Sequence, residues 1–67
     1  MISVVINGRE CSLEVAVTVM KYFTDLGVDT NYVAIARNGV VLKKEDYPGV
    51  WLEEGDIIEV VKPVGGG

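Results

Sequence analysis

The sequence predicts a single α+β domain in which a mixed sheet of four to five strands packs on one helix. Two Asn-Gly dipeptides lie between apolar strand patterns, one segment repeats apolar residues with a helical period, and an alternating apolar strand precedes the C-terminus. We expect the domain to span residues 1–62 and a flexible glycine tail to span residues 63–67. With 67 residues, the chain is near the lower limit for a core without disulfides or metal.

The first predicted hairpin joins a strand at residues 2–6 to a second strand through Asn7-Gly8. Both turn residues tolerate the positive φ that a type I′ turn requires. A two-residue loop fixes the register, so Val4 is expected opposite Cys11 on the core face and Val5 on the other face. The cysteine is therefore predicted to be a small buried hydrophobe rather than a reactive thiol.

A short helix is predicted after Thr18, whose side chain can cap it. Gly27 is expected to end the helix as its C′ residue. The predicted apolar stripe, at i, i+3, i+4 and i+7, consists of Val19, Tyr22, Phe23 and Leu26.

The second Asn-Gly dipeptide, Asn38-Gly39, predicts another hairpin, between a strand at 33–37 and a short strand or loop at 40–42. Side-chain size alternates along the first of these strands. Val33 and Ile35 are expected on the core face, and Ala34 and Ala36 on a flat opposite face.

Residues 43–49 predict a loop with one helical turn, held by Tyr47 or Trp51. The acidic residues nearby lack the spacing of a calcium loop and predict a solvated rim instead. These residues are Glu45, Asp46, Glu53, Glu54 and Asp56.

The last predicted strand covers residues 57–62, and Glu59 sets its orientation because an unpaired carboxylate in the core would be costly. Ile58 and Val60 then face the core. If the first and last strands lie side by side and parallel, the opposite side of the sheet becomes an exposed apolar surface suited to a partner. We call this surface the outer face, and its predicted members are Val5, Ala34, Ala36, Ile57 and Val61.

Composition argues against several function classes. The net charge of −4 and pI near 4.5 disfavour nucleic-acid binding. The chain has no histidine and one cysteine, which disfavours a metal site and an enzyme. It also has no apolar run of membrane-spanning length and no basic leader, so we expect a cytoplasmic protein. We also expect the protein to be monomeric when it is not bound to a partner.

The glycine tail remains as the chemically distinctive segment. Fully extended, it could carry the α-carboxylate of Gly67 roughly 15 to 18 Å beyond the sheet. A carboxylate needs activation, for instance by ATP-dependent adenylation, before it can carry another group. The sequence has no phosphate-binding glycine loop, so the activating machinery is expected to be a separate protein.

Four segments carry a family resemblance: the Val-Val-Ile-Asn-Gly opening at 4–8, Val-Ala-Ile-Ala-Arg-Asn-Gly at 33–39, Leu-Glu-Glu-Gly-Asp at 52–56, and the Val-Gly-Gly-Gly ending. In this order and at this length, the whole chain resembles the ubiquitin-like β-grasp sulfur carriers of the ThiS/MoaD superfamily, and most closely the ThiS family of thiamin biosynthesis. Arg37 and Tyr47 depart from that pattern, in which an aliphatic residue and a tryptophan are expected.

The resemblance implies that a ThiF-like adenylyltransferase uses ATP to adenylate the terminal glycine. Sulfur from a cysteine desulfurase or a rhodanese-type donor would convert that glycine to a thiocarboxylate, which would pass sulfur to a ThiG-like thiazole synthase. Gly66 and Gly67 match the family's functional residues, and the partner-binding tail before them comprises Pro63, Val64 and Gly65. The chain itself would bind no cofactor and would be a cosubstrate rather than an enzyme.

Two alternatives remain open. A MoaD-type or tRNA-thiolation carrier would use the same tail chemistry for another acceptor, and Pro63-Val64 leans slightly toward the MoaD type. The chain could also be a β-grasp interaction module without covalent chemistry. The short length and the third glycine favour the thiamin branch.

Overall fold

The computed structural model describes residues 1–62, which form five strands, one α-helix and one 3₁₀ helix. The elements are, in chain order, β1 (Ile2–Ile6), β2 (Arg9–Leu13), α1 (Val19–Asp25), β3 (Ala34–Arg37), β4 (Val40–Val41), the 3₁₀ helix (Lys44–Gly49) and β5 (Ile57–Val61). The predicted tail, residues 63–67, lies outside the described residues.

The five strands form one mixed sheet in the order β2-β1-β5-β3-β4. β1 is parallel to β5, and the other neighbouring pairs are antiparallel. The β1–β2 register pairs Val4 with Cys11 and Val5 with Glu10. The α+β class, the register of the first hairpin and the parallel pairing of the first and last strands are therefore confirmed.

Both Asn-Gly turns have the predicted backbone geometry and also a second function. Asn7 and Asn38 have φ of 49° and 51°, and the glycines that follow them also have positive φ. The side chain of Asn7 accepts a hydrogen bond from the Val60 N–H at 2.8 Å, and that of Asn38 accepts one from the Ile57 N–H at 2.9 Å. The β1–β2 turn and the β3–β4 turn thus each bind β5, one along each edge of that strand.

The core lies between one face of the sheet and the two helices. Alternate residues of the strands supply the sheet side, as the periodicity predicts. The buried apolar residues are Val4, Leu13, Val19, Phe23, Val33, Ile35, Tyr47, Leu52 and Ile58.

Helix α1 begins and ends where its capping residues predict, but its apolar stripe is shorter than expected. Thr18 Oγ1 accepts a hydrogen bond from the Lys21 N–H at 3.1 Å, and Gly27 has φ of +83°. The prediction that Leu26 belongs to the buried stripe is wrong, because the last helical residue is Asp25 and the Leu26 side chain is 61% exposed. A helix of two turns buries too few residues to include it.

Tyr47, rather than Trp51, fixes the segment after β4. The Tyr47 side chain is 1% exposed, and its hydroxyl donates a hydrogen bond to the Val33 carbonyl at 3.4 Å. Trp51 is 54% exposed, although its backbone forms an isolated antiparallel bridge with Thr18.

Asp56 contradicts the prediction of a fully solvated acidic rim. Its side chain is buried, and its carboxylate accepts hydrogen bonds from Arg37 at 3.0 Å, from the Asn38 side chain at 3.2 Å and from the Glu53 N–H at 2.8 Å. The carboxylate folds the 53–56 loop back on itself and ties it to the β3–β4 turn, so its burial is compensated.

Cys11 packs against the core as expected but is half-buried rather than fully buried. Its thiol donates a weak hydrogen bond to the Arg9 carbonyl at 3.7 Å. Burial and the neighbouring Cys11 raise the pKa of Tyr22, whose ring meets Phe23 edge-on at a centroid distance of 5.2 Å.

Candidate functional site

The predicted site has two parts, the glycine tail and the outer face of the sheet. The tail residues Pro63, Val64, Gly65, Gly66 and Gly67 lie outside the described residues, and their roles stay predictions. The outer face lies within the part of the chain that the structure describes.

The sheet order brings the five predicted outer-face residues onto neighbouring strands. Val5 of β1 lies opposite Ile57 of β5, and Ala34 of β3 lies opposite Val61 of β5. Ile57, Val61 and Ala34 are exposed, whereas Val5 and Ala36 are half-buried. The five side chains therefore share one side of the sheet, and their contact with a partner stays a prediction.

Val41 is a sixth apolar member that the sequence reasoning missed. It lies directly opposite Ala36, so its side chain points to the same side of the sheet, and it is 69% exposed. Counting outward from the two-residue turn at Asn38-Gly39 would have found this pairing, as the same count did for the first hairpin.

The outer face is polar at its edge on β1 and β2, away from Val41. Ser3 and Ser12 lie opposite each other at that edge, next to the pair formed by Val5 and Glu10. The Ser3 hydroxyl donates a hydrogen bond to the Glu10 carboxylate at 3.5 Å. The apolar part of the face therefore runs from Val5 across β5 and β3 to Val41.

Glu59 interrupts this apolar part near its middle. It lies opposite Ala36 and, because side chains alternate along a strand, on the same side of β5 as Ile57 and Val61. Its side chain is exposed, and within residues 1–62 it has no ion-pair or hydrogen-bond partner.

Arg37 and Asp56 hold the loop that precedes β5 against the end of β3. Asp56 contacts Arg37 Nε at 3.0 Å, and Glu53 contacts the Arg37 guanidinium from the solvent side. Partial burial disfavours the charged form of Arg37, but the hydrogen bonds and charges of Glu53 and Asp56 outweigh it and raise the pKa of Arg37.

An open cleft of about 570 Å³ lies where the tail begins. Lys62, the last described residue, lines this cleft together with residues that follow helix α1 and precede β3. They include the exposed side chains of Leu26 and Tyr32.

Comparison with known protein families identifies the family of this chain. The model of the ThiS family matches residues 4–67, which covers the β-grasp body and the terminal glycines. The chain belongs to the ThiS family. The resemblance drawn from the four sequence segments is therefore confirmed.

Solved structures agree with this assignment. The crystal structure of a thiamine biosynthesis protein (ThiS) from Geobacter metallireducens superposes with a TM-score of 0.85 at 26% identity, covering 98% of this chain and 100% of that one. The solution structure of a thiamine biosynthesis protein from the same organism gives a TM-score of 0.78 over 98% of this chain and 88% of that one. The predicted ubiquitin-like β-grasp fold is confirmed.

Two curated relatives of this ThiS-family chain are thiazole synthases. The one from Paramagnetospirillum magneticum is 40% identical over 63 residues, which are 94% of this chain and 19% of the relative. The one from Magnetococcus marinus is 37% identical over 62 residues, or 92% of this chain and 19% of the relative. The chain thus spans about a fifth of the length of these relatives.

Residues 1–62 contain neither a candidate membrane-spanning helix nor a cluster of metal-binding side chains. No helix there is long and apolar enough to cross a membrane. Within the same residues, no three His, Cys, Asp or Glu side chains are grouped so that they could hold a metal ion.

Proposed function

We propose that this ThiS-family chain is a sulfur carrier of thiamin biosynthesis, whose C-terminal Gly67 is adenylated and then converted to a thiocarboxylate. The chain would be a protein cosubstrate of other enzymes. The observation that carries the proposal is the ThiS-family match, which extends through the terminal glycines to residue 67. The two thiazole synthase relatives support it.

The activation step falls to a partner. A ThiF-like adenylyltransferase would bind ATP and transfer AMP to the Gly67 carboxylate, with release of pyrophosphate. Glycines suit this step because a backbone without Cβ atoms can enter a narrow active site and adopt the dihedrals that the site requires. Ordering the tail there costs about 1 to 2 kcal/mol per residue, which the docking of the domain would offset.

Sulfur loading and delivery follow. A cysteine desulfurase or a rhodanese-type protein would carry the sulfur as a persulfide, whose terminal sulfur would attack the acyl-adenylate of Gly67 and expel AMP. A thiol would then reduce the resulting acyl disulfide, which leaves a thiocarboxylate on Gly67 and a disulfide as the second product. A ThiG-like thiazole synthase would then accept the sulfur. The names of the two curated relatives favour this acceptor over a molybdopterin synthase or a tRNA-modifying enzyme.

The outer face would position the domain while the tail reacts. From β1 to β4 it crosses three strand spacings, about 14 Å, and from Ile57 to Val61 it extends about 13 Å. Such a patch is much smaller than the surface of about 800 Å² per partner that stable complexes bury. Docking on the face alone would be weak, and specific binding would need the tail in the partner's active site as well, which suits a carrier that must be released.

Intact-mass measurement tests the proposal. Incubation with a ThiF-like adenylyltransferase, ATP and a sulfur donor is expected to replace one C-terminal oxygen with sulfur. A chain that ends at Gly65 is the matched control, because it keeps the domain and loses the reacting diglycine. An unchanged mass with partners that load a known ThiS would overturn the proposal.

The acceptor is tested with the loaded protein. Thiazole synthase is expected to discharge the thiocarboxylate and restore the original mass. Discharge by a molybdopterin synthase large subunit, with none by thiazole synthase, would move the chain to the MoaD-type alternative.

A further inference from the structure

The hydrogen bonds between β3 and β5 show how the sheet could continue at the end where the tail begins. The Asn38 N–H donates to the Ile57 carbonyl at 2.7 Å, so these two residues form a hydrogen-bonded pair. In an antiparallel ladder such pairs recur at every second residue, which makes Ala34 and Val61, the last pair of this ladder, a hydrogen-bonded pair as well. The next hydrogen-bonded pair would lie two residues further along each strand.

Tyr32 and Pro63 are the residues that the register places in that next pair. A hydrogen-bonded pair exchanges two N–H···O bonds, one in each direction. The Tyr32 N–H already donates to the Asp29 carbonyl at 3.1 Å. Pro63 lies outside the described residues, but as a proline it has no N–H to donate. Neither donor that the pair requires is therefore available.

Other contacts hold the turn that engages the Tyr32 N–H. The Asn31 N–H donates to the Asp29 carboxylate at 3.0 Å, and the Lys44 ammonium donates to the Asn31 carbonyl. A turn fixed at these points does not readily release the Tyr32 N–H. The residue at position 63 therefore decides whether the pair can form any hydrogen bond, through its own N–H and the Tyr32 carbonyl.

The position of the proline along the chain matters because backbone groups of a strand alternate between its two edges. The Asn7 N–H donates to the Ile58 carbonyl at 2.9 Å, and the Asn7 side chain binds both backbone groups of Val60. The even-numbered residues of β5 thus face β1, whereas the odd-numbered residues, and with them position 63, face β3. A proline at position 64 would leave the β3 edge able to pair.

We propose that Pro63 is a positioning residue of the carrier reaction, which ends the pairing of β5 with β3 at Val61 and keeps the glycine tail off the sheet of its own domain. This inference rests on the carrier function proposed above. Each further residue that paired would shorten the reach of the Gly67 carboxylate by about 3.3 Å. A paired segment also cannot enter a narrow active site, so the enzyme would bind only the unpaired fraction of the carrier.

Two variants of the full chain test this role. Pro63→Val supplies the N–H together with a residue that favours strands. The double variant Pro63→Val with Val64→Pro supplies the same N–H but keeps the composition of the tail and its one proline. It is the matched control, because it separates the missing donor from the stiffness that a proline gives to the tail. The readouts are hydrogen exchange of the residue 63 amide, followed by NMR, and the KM and kcat of the adenylyltransferase for the carrier.

In both variants the residue 63 amide is expected to exchange about three- to tenfold more slowly than in a peptide of residues 60–67 with the same substitutions, as one hydrogen bond would produce. KM is expected to rise by the same factor, because pairing removes that share of the carrier from binding. We expect kcat to stay near wild type. A residue with a structural role alone would not link the exchange rate to KM.

Exchange of the residue 63 amide at the peptide rate in Pro63→Val would overturn the inference, even with a raised KM, because the enzyme would then respond to the side chain at that position. A wild-type KM in either variant would overturn it too, and the carrier function would stand in all these cases. Failure of the wild-type chain to be adenylated would instead overturn the carrier function, and the positioning role of Pro63 with it.

Discussion

At the scale of single residues, Arg37 and Asp56 form the most consequential contact of the domain. Asp56 is 5% exposed and receives hydrogen bonds from three groups, of which Arg37 is the only charged one. Removal of the charged partner leaves an uncompensated charge in the protein interior, which strongly destabilises the folded state.

Arg37→Ala is expected to lower the free energy of unfolding by about 2 to 3 kcal/mol, because Asp56 stays buried without a counter-charge. Chemical denaturation of the purified domain measures the effect. Glu53→Ala is the matched control, since it removes the exposed partner of the same guanidinium and should cost less than about 1 kcal/mol. Equal losses in the two variants would contradict the assigned burial.

At the scale of elements, the asparagines of the two turns act on a strand that is distant in sequence. Asn7 accepts from the Val60 N–H and donates to the Val60 carbonyl at 3.4 Å, beyond the last paired residues of β1 and β5. Its side chain thus continues the ladder where the β1 backbone turns away. Positive φ alone would be met equally well by glycine.

Asn7→Gly is accordingly expected to destabilise the domain by about 1 to 2 kcal/mol, through the lost hydrogen bonds and the added freedom of the unfolded chain. For a domain of this size, that corresponds to a fall in Tm of roughly 4 to 16 °C. Asn7→Asp keeps an acceptor for the Val60 N–H and should lose less. A glycine variant as stable as wild type would show that only the backbone angle matters.

At the scale of the whole molecule, the sheet separates stability from recognition. One face packs on the helices and carries the buried apolar residues of the strands, Val4, Leu13, Ile35 and Ile58, whereas the outer face keeps Ile57, Val61 and Val41 in water. An exposed apolar surface of this kind typically marks an interaction site. Substitutions on it should therefore change docking more than folding.

Val41 and Val40 offer a matched test of this separation. They are adjacent on β4 and similarly exposed, at 69% and 64%, but only Val41 shares the outer face, since Val40 pairs with Arg37. Val41→Ser is expected to raise the KM of the adenylyltransferase for the carrier about three- to tenfold through the lost apolar contact. Val40→Ser should leave KM unchanged, and both should unfold within about 0.5 kcal/mol of each other. Equal KM values would contradict the placement of the docking surface.

Much of the fold was predictable because its signals are local. Asn7-Gly8 and Asn38-Gly39 suit positive φ, Thr18 and Gly27 delimit a helix, and alternation about Glu59 assigns the two sides of β5. Leu26 was misplaced because periodicity does not report where a two-turn helix ends. The position of Val41 on the outer face was missed because it follows only when the residue pairs are counted outward from the Asn38-Gly39 turn.

Local patterns were enough to predict the register of the first hairpin, the two sides of the strands and the family, because turn residues, period-2 patterns and the order of short motifs are properties of neighbouring residues. The pairing of charged side chains, in contrast, depends on how the strands assemble. Their assembly joins Arg37 to the buried Asp56 and leaves Glu59 alone on an apolar surface. Those differences arise when β5 enters the sheet between β1 and β3, which brings together side chains that lie far apart in the chain.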